Sequence, residues 1–405
     1  MSKNTLHNVL VITYWSFNDA LIQAYTLPYV REIKKLLPEE SVITLVTQEP
    51  DHEQIEKLKE LGDPDFNVLA FPYSPFNVKT IFKLRKMIKT LNRFVQKNKI
   101  TTLHCWCTTG GSIGYLIHRH TGKRLVIDSF EPHAESMVEN GTWKRSGLAF
   151  KLLYRLERKQ ADAAEHLIGL TAGMRQYSIE KYRVSPKNYY VKPACVDLEL
   201  FSNAKYPNIR DELGIHQEDV VCIYAGKIGG IYLEDEIFEF WKICSSTFEH
   251  FKVIFLSNYD DSLLRKMVVK HNLSEDLIIK RLVPHGDVPL FMAQADFALN
   301  PVKPVPSKRY CTSIKDGEYW SMGLPIVISR DISDDSMLIA DSRTGVVIGD
   351  LSSDGLFEAA NAIKELISSG TNYQERSREI AENFRNIKNQ IFIYEQIYIP
   401  GEQKS

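Results

Sequence analysis

The chain has few cysteines, almost no net charge and no long apolar run, and each of these absences excludes a class of protein. Six cysteines are scattered through 405 residues, too few for the disulfide framework of a secreted domain. With 50 basic and 51 acidic side chains, the chain as a whole is not suited to binding a polyanion such as a nucleic acid. The first residues contain no apolar signal core, and no stretch reaches membrane-spanning length. We therefore expect a cytoplasmic protein whose membrane contact, if it has one, is peripheral and on the inner face.

Metal-binding patterns are also scarce. Cys105 and Cys107 flank a tryptophan at the end of a predicted strand, and no second cysteine pair completes a zinc site. The one Asp-x-Asp sequence, at Asp63 and Asp65, precedes a predicted strand and is typical of a turn. We expect reduced thiols, no bound metal and no resident cofactor.

Apolar, strand-like runs alternate with helical patterns along the whole chain, which is typical of α/β folds with parallel sheets. A predicted hinge at 192–201 separates two such series. We expect two doubly wound, Rossmann-like domains facing a central cleft, at 1–200 and 201–383, with a closing helix at 384–405. The predicted strands are 8–13, 42–46, 66–71, 102–106, 124–128, 166–170, 189–191, 220–225, 252–256, 277–282, 297–300, 325–329 and 346–348.

The segment 312–328 carries the clearest functional pattern. A polar turn with Ser313 and Lys315 opens a short helix that contains Glu318, and Gly323 ends this helix before an apolar strand. A carboxylate in this position can accept hydrogen bonds from ribose hydroxyls, while Lys315 and the helix amides can meet a phosphate. Ser313 is equally expected to cap the helix or to contact phosphate. The segment predicts a nucleotide site.

A glycine-rich turn after a predicted strand is the second candidate phosphate site. It holds Gly226, Lys227, Gly229 and Gly230, so its backbone amides can approach phosphate oxygens and its lysine can neutralise their charge. A solvated lysine in a flexible turn is the alternative. The segment 312–328 favours the phosphate interpretation.

Four segments, in this order, resemble the glycosyltransferases of the GT-B fold, specifically glycosyltransferase family 4. They are 157–171, 196–201, 224–230 and 315–327. The resemblance implies a retaining, metal-independent transferase that moves a sugar from a UDP- or GDP-linked donor to a glycan or lipid-linked acceptor, in surface polysaccharide or glycoconjugate synthesis. It also implies that the first domain binds the acceptor and the second the donor. Tyr310 stands where the family has the first of two spaced glutamates.

The resemblance suggests roles for several further residues. It places His133 against the donor sugar, with a structural loop histidine as the alternative. Glu131 or Asp128 would accept the acceptor's proton or would simply hold His133. Lys227 would neutralise the leaving diphosphate. The loop with Val283 and His285 would lie beside the nucleotide base.

The stretch 78–99 contains eight basic residues and no acidic one, and its apolar residues recur at helical spacing. Such a helix can bind an anionic membrane surface, or it can be an ordinary solvated face. The resemblance favours the membrane.

Two other functions remain open from the sequence. A nucleotide-sugar isomerase or 2-epimerase of the same fold would need additional acid and base carboxylates. A non-catalytic nucleotide-sugar-binding scaffold would explain Tyr310 in the place of a glutamate.

Overall fold

The computed structural model describes residues 6–19, 21–75 and 81–399. It divides the chain into two compact α/β units. Unit 1 comprises Met1–Pro193 together with Ile387–Ser405, and unit 2 comprises Ala194–Asn386. The predicted fold class, α/β with two Rossmann-like domains, is confirmed by the sheet topology given below.

Unit 1 is built on a parallel sheet of seven strands in the order β3-β2-β1-β4-β5-β6-β7. Its central strands carry continuous runs of buried apolar residues, as expected for a sheet that is covered on both faces. The strands are β1 Asn8–Ile12, β2 Ile43–Glu49, β3 Asn67–Pro72, β4 Ile100–Trp106, β5 Arg124–Phe130, β6 His166–Gly169 and β7 Tyr189–Val191. The helices are α1 Leu27–Leu36, α2 His52–Lys59, α3 Ile81–Lys97, α4 Cys107–Thr121, α5 His133–Glu139, α6 Leu148–Ala163, α7 Gly173–Tyr177 and, near the end of the chain, α15 Ile391–Tyr398.

Unit 2 repeats this plan with six parallel strands in the order β10-β9-β8-β11-β12-β13. The strand order reverses direction beside β8, and in open α/β sheets ligands bind at the carboxyl ends of the strands at such a point. The strands are β8 Val220–Ala225, β9 Phe251–Leu256, β10 Ile278–Arg281, β11 Phe297–Asn300, β12 Ile326–Ser329 and β13 Gly345–Ile348. The helices are α8 Asp235–Thr247, α9 Asp261–Lys270, α10 Val288–Met292, α11 Ile314–Ser321, α12 Asp335–Ser342, α13 Ser353–Ser368 and α14 Tyr373–Ile380.

The boundaries between the units differ from the predicted 200/201 and 383/384. Residues after Pro193 pack on unit 2, because Val196 pairs with Asn386 and the amide of Ala194 donates to Oγ1 of Thr312 at 2.7 Å. The extended backbone at Asn386 also interrupts the predicted closing helix. That segment consists instead of a π-helical turn, a 3₁₀ turn and α15.

The basic segment predicted at 78–99 is helical as α3 over Ile81–Lys97, while its positions 78–80 lie outside the described residues. None of the helices in the described ranges is both long and apolar enough to cross a membrane. All six cysteines are free thiols, as the sequence predicts.

Candidate nucleotide-binding site

The turn after β8 has the backbone that its glycines predict. Gly226, Gly229 and Gly230 have φ values of 153°, 83° and 64°, a region that residues with a Cβ rarely occupy. A Cβ at Gly229 or Gly230 would meet no atom within 4 Å, so open space lies beside this part of the turn. The turn is fixed at its base, because the Tyr224 hydroxyl donates to the carbonyl of Lys227. The Lys227 side chain is exposed.

Lys315 reaches from α11 onto this turn. Its Nζ donates to the Tyr232 hydroxyl at 2.9 Å and lies 4.1 Å from the centre of the Tyr232 ring. A Cβ at Gly226 would stand 2.9 Å from the same Nζ, so glycine is required for the ammonium group to lie this close. The positive charge of Lys315 lowers the pKa of Tyr232, and that of Lys308 adds to the effect. Lys227 in the turn and Lys315 on α11 thus place both predicted lysines at one glycine-rich turn.

Glu318 lies one turn further along α11, on the face that carries Lys315. It is 5% exposed, and its Oε1 is 2.8 Å from Nε2 of His285. This hydrogen bond raises the pKa of His285 despite the partial burial of the ring, which acts in the opposite direction. The His285 ring also packs on Phe201, with 5.5 Å between ring centres. The structure thus joins the predicted ribose carboxylate to the loop that was predicted to lie beside the base.

One feature predicted for the ends of α11 is present in the structure, and another is not. Gly323 has a φ of 78° and ends the helix before β12, as predicted. Ser313 occupies the N-cap position, but its side chain makes no capping hydrogen bond, so the predicted capping role is wrong. Val283 packs against the apolar core of unit 2.

A cluster of buried polar side chains holds α11 in position. Asn300 at the end of β11 donates from Nδ2 to both carboxylate oxygens of Asp316, at 2.7 and 2.8 Å. Burial and the neighbouring Asp335 raise the pKa of Asp316 well above its ordinary value. Arg385 is hydrogen-bonded to Asp335, and its guanidinium lies 5.4 Å from the ring of Trp320. These contacts set the orientation of the helix that carries Lys315 and Glu318.

In unit 1, His133 and Glu131 lie side by side. His133 is the first residue of α5 and not part of a loop, and its Nδ1 is 2.9 Å from Oε1 of Glu131. Oγ1 of Thr108 donates to the Glu131 carbonyl at 2.8 Å and fixes this turn. The carboxylate therefore holds the histidine, which is one of the two roles that the sequence left open for it.

Asp128 was the other candidate for an acceptor base, and the structure excludes it. Its carboxylate is fully buried, 2.9 Å from Nζ of Lys192, and it accepts a hydrogen bond of 2.8 Å from the Tyr394 hydroxyl. Burial by itself would raise the pKa of Asp128, but Lys192 and His104 outweigh it and hold that pKa below its ordinary value. Such a carboxylate is structural, because it can neither reach a substrate nor readily take up a proton.

Sequence reasoning missed three features near the unit 2 site: the hydrogen bond between His285 and Glu318, the Tyr232 hydroxyl that Lys315 contacts, and the charge of Lys308, which acts on Tyr232. Tyr232 follows the glycine-rich turn by two residues, and an aromatic residue near a lysine-rich phosphate site was the available signal. No local signal marks Lys308, since its proximity to Tyr232 depends on the path of the loop after β11. Across 6–19, 21–75 and 81–399, no group of three or more His, Cys, Asp or Glu side chains is placed to hold a metal ion.

No protein-family model matches the chain. The chain is 23% identical over 282 residues, or 68% of its length, to D-inositol 3-phosphate glycosyltransferase of Gordonia bronchialis. The matched region spans 59% of that relative's own length.

Solved structures share the fold over almost the whole chain. Sucrose-phosphate synthase of Thermosynechococcus elongatus has a TM-score of 0.74 at 14% identity, covering 97% of this chain and 98% of the other. Anabaena HepE in complex with UDP-glucose has a TM-score of 0.70 at 13% identity, with 97% and 98% covered. A UDP-N-acetylglucosamine 2-epimerase has a TM-score of 0.63 at 15% identity, with 99% and 98% covered. The predicted resemblance to the GT-B glycosyltransferases is thus confirmed at the level of the fold.

Proposed function

We propose that the chain is a glycosyltransferase that moves a sugar from a UDP- or GDP-linked donor bound by unit 2. One observation carries the proposal. Lys315 and Glu318 project from the same face of α11, one onto a glycine-rich turn and the other into a pair with His285. This arrangement offers cations and a positive-φ turn for a diphosphate and a buried carboxylate for a ribose diol.

The chemistry of transfer requires that negative charge on the leaving diphosphate be neutralised as the bond to the sugar breaks. Lys227 and Lys315 supply positive charge at the turn, and for this reason we propose that the reaction needs no metal ion. The resemblance to family 4 supports retention of configuration at the sugar carbon. We assign the diphosphate contacts to Gly226, Lys227, Gly229, Gly230 and Lys315, with Ser313 at the start of α11 as a further donor.

We propose that His133 contacts the donor sugar through its ring, held in position by Glu131. With Nδ1 facing Glu131, the ring presents Nε2 as the atom available to a sugar oxygen. A carboxylate that orients a histidine also stabilises positive charge on that ring as the transition state forms. Glu131 then acts as a positioning residue whose effect on transfer passes through His133.

The donor class is supported by two comparisons. The HepE structure that shares this fold was solved with UDP-glucose, and the curated relative from Gordonia is named as a glycosyltransferase. We propose a glycan or a lipid-linked acceptor. The supporting observation is α3, whose basic residues would each contribute on the order of 1 kcal/mol near an anionic membrane. The proposed setting is the cytoplasm, in keeping with six free thiols, with unit 1 touching the inner face of the membrane in surface polysaccharide or glycoconjugate synthesis.

The test is a transfer assay with the full chain, a panel of UDP- and GDP-linked sugars and a membrane extract, with and without a chelator. We expect nucleotide release and a glycosylated product that survive the chelator and fall by about a hundredfold or more in Glu318→Ala. Glu239→Ala is the matched control, because Glu239 also pairs with a histidine in unit 2, at 3.2 Å from Nδ1 of His271. Wild-type activity is expected in that control.

The outcomes separate this proposal from its alternatives. Conversion of the donor without any acceptor would favour an epimerase, whose fold this chain shares with the solved 2-epimerase. Nucleotide-sugar binding without turnover would favour a scaffold. Activity that the chelator abolishes would overturn the metal-independent mechanism.

A further inference from the structure

A groove on unit 1 lies between α3, α4 and α6 and has no role in the proposed transfer. Its volume is about 530 Å³, within the size range of ligand pockets. The walls are mainly aliphatic side chains from the three helices, and two cationic residues of α3, Arg85 and Lys89, line it as well. The aliphatic residues are Leu84, Ile88, Ile113, Leu116, Leu152 and Leu156.

Apolar side chains continue from the groove onto the surface. Leu148, Leu152 and Leu156 are spaced four residues apart on α6 and therefore share one face of that helix. Leu148 is 73% exposed and Leu152 is 46% exposed, and on α3 Phe82 is 75% exposed. Single exposed apolar residues are ordinary, but a row that leads into an apolar groove marks a surface that binds another apolar group.

The charge around this surface has one sign. α3 contains no acidic residue between Ile81 and Lys97, and none of its cations forms an ion pair with a described residue. The Arg85 guanidinium lies over the Phe82 ring at 5.9 Å, which places a positive charge directly beside exposed apolar surface. Lys151 and Arg155 of α6 are exposed next to Leu152. The partner that fits must therefore be apolar at one end and anionic at the other.

We infer that this groove holds one acyl chain of an anionic phospholipid, with the lipid phosphate against Arg85 and Lys89. An aqueous anion would use the cations but leave the aliphatic walls exposed to water. A neutral apolar ligand would leave the cations without a partner. An anionic phospholipid satisfies both, since its acyl chain buries methylene groups against the aliphatic walls and its phosphate complements the cations. The inference rests on the proposed membrane contact of unit 1 and is independent of sugar transfer.

The groove predicts that the full chain binds a short-chain anionic lipid as a single molecule, without a bilayer. Isothermal titration with monomeric diheptanoyl phosphatidylglycerol should show saturable binding, and the head group alone, glycerophosphoglycerol, should bind at least about tenfold more weakly. Diheptanoyl phosphatidylcholine should also bind more weakly, because its phosphate is neutralised by its own choline. Leu152→Trp fills the groove without changing any charge and should weaken phosphatidylglycerol binding by about tenfold or more.

Leu263→Trp is the matched control, since Leu263 is a 43% exposed helix leucine in unit 2, and it should bind phosphatidylglycerol as the wild type does. Equal affinity for the short-chain lipid and its head group, or unchanged binding in Leu152→Trp, would overturn the inference. A self-association of the chain that Leu152→Trp abolishes would also overturn it, by assigning the groove to a second copy. Vesicle binding that Arg85→Glu abolishes while Leu152→Trp leaves it intact would retain the membrane contact and reject the acyl-chain site.

Discussion

At the scale of single residues, the function proposed for unit 2 depends on a carboxylate that is buried and still free to exchange partners. Glu318 accepts one hydrogen bond from His285 at 2.8 Å, and a ribose diol would offer it two hydrogen-bond donors. A buried carboxylate without a partner is costly, so the hydrogen bond to His285 stabilises Glu318 in its buried position. In the proposed site, a bound nucleotide would therefore exchange one hydrogen-bonded partner of Glu318 for another.

The stabilisation that the pair of His285 and Glu318 contributes to the fold decreases as the pH rises. The bond to Glu318 raises the pKa of His285, so the pair stabilises the fold most at pH values below the ordinary histidine pKa. That contribution is lost as the pH rises through the raised value. In Glu318→Gln the charge is removed, and the pKa of His285, followed by nuclear magnetic resonance titration of the ring, should fall.

The control for this titration is Glu239→Gln, which alters the glutamate beside His271 and should leave the His285 titration unchanged. An unchanged pKa of His285 in Glu318→Gln would show that the contact is not formed in solution.

The residues of the site were predictable to different degrees. Glu318, Lys315 and the glycines of the turn could be identified because each follows from local spacing beside a strand or helix end. The partnership of Glu318 with His285 joins residues 33 positions apart and requires the fold to be known. The role of Asp128 was predicted wrongly, because the sequence shows that this carboxylate lies near a histidine but not that it forms an ion pair with Lys192.

At the scale of elements, Glu157 on α6 determines where α5 begins. It is fully buried and accepts from the backbone amide of Ala134 at 2.7 Å and from the Tyr182 hydroxyl at 2.8 Å. His133 directly precedes Ala134, so the carboxyl group of Glu157 fixes the turn that presents the proposed sugar contact. The family-like segment 157–171 thus has a structural role at its first residue.

The raised pKa of Glu157 predicts that the folded state becomes less stable as the pH rises. Burial raises its pKa to about 8, whereas an unfolded glutamate titrates near 4.3. Between these values the folded chain keeps a proton that the unfolded chain releases, so raising the pH favours unfolding by up to roughly 1.4 kcal/mol per pH unit. Urea denaturation near pH 5 and near pH 8 should show this slope in the wild type and a smaller one in Glu157→Gln.

Glutamine keeps an acceptor for Ala134 and carries no proton that titrates, so its fold should persist across this range. If the free energy of unfolding changed equally with pH in the wild type and in Glu157→Gln, Glu157 would not be the source of this pH dependence.

Strands were more predictable than helices in this chain. Every predicted strand is present in the structure, because buried parallel strands appear as short continuous apolar runs. α5 was not identified from the sequence, since its seven residues give too little periodicity to indicate a helix. The π-helical turn Ala381–Arg385 and the break at Asn386 depend on tertiary contacts of Arg385 and Val196, which no local pattern reveals.

At the scale of the whole molecule, a buried cation stands close to each point where the chain passes from one unit to the other. Lys192 lies at the end of unit 1, fully buried, with its Nζ 3.8 Å from the centre of the Tyr29 ring and 5.1 Å from that of Trp106. Arg385 lies at the end of unit 2, where its Nη1 donates to the carbonyl of Ala194 at 2.9 Å. Each cation anchors the connecting segment to its own unit.

Removing the charge of Lys192 should strongly destabilise unit 1. Lys192→Met leaves the Asp128 carboxylate buried without its cation, a change that typically costs about 3–5 kcal/mol. The double variant Lys192→Met/Asp128→Asn removes both charges and should recover much of this loss. Chemical denaturation measures both values. A single variant as stable as the wild type, or a double variant without recovery, would contradict this account of the pair.

The most direct test of the central claim is whether Glu318 binds the ribose of a nucleotide. The measurement is isothermal titration of the full chain with UDP, GDP and their 2′,3′-dideoxy analogues, in the wild type and in Glu318→Ala. The account predicts that the wild type binds one of the two nucleotides at least about tenfold more tightly than its dideoxy analogue, and that Glu318→Ala loses most of this difference. Binding of neither nucleotide, or equal binding of the nucleotide and its dideoxy analogue by the wild type, would contradict it.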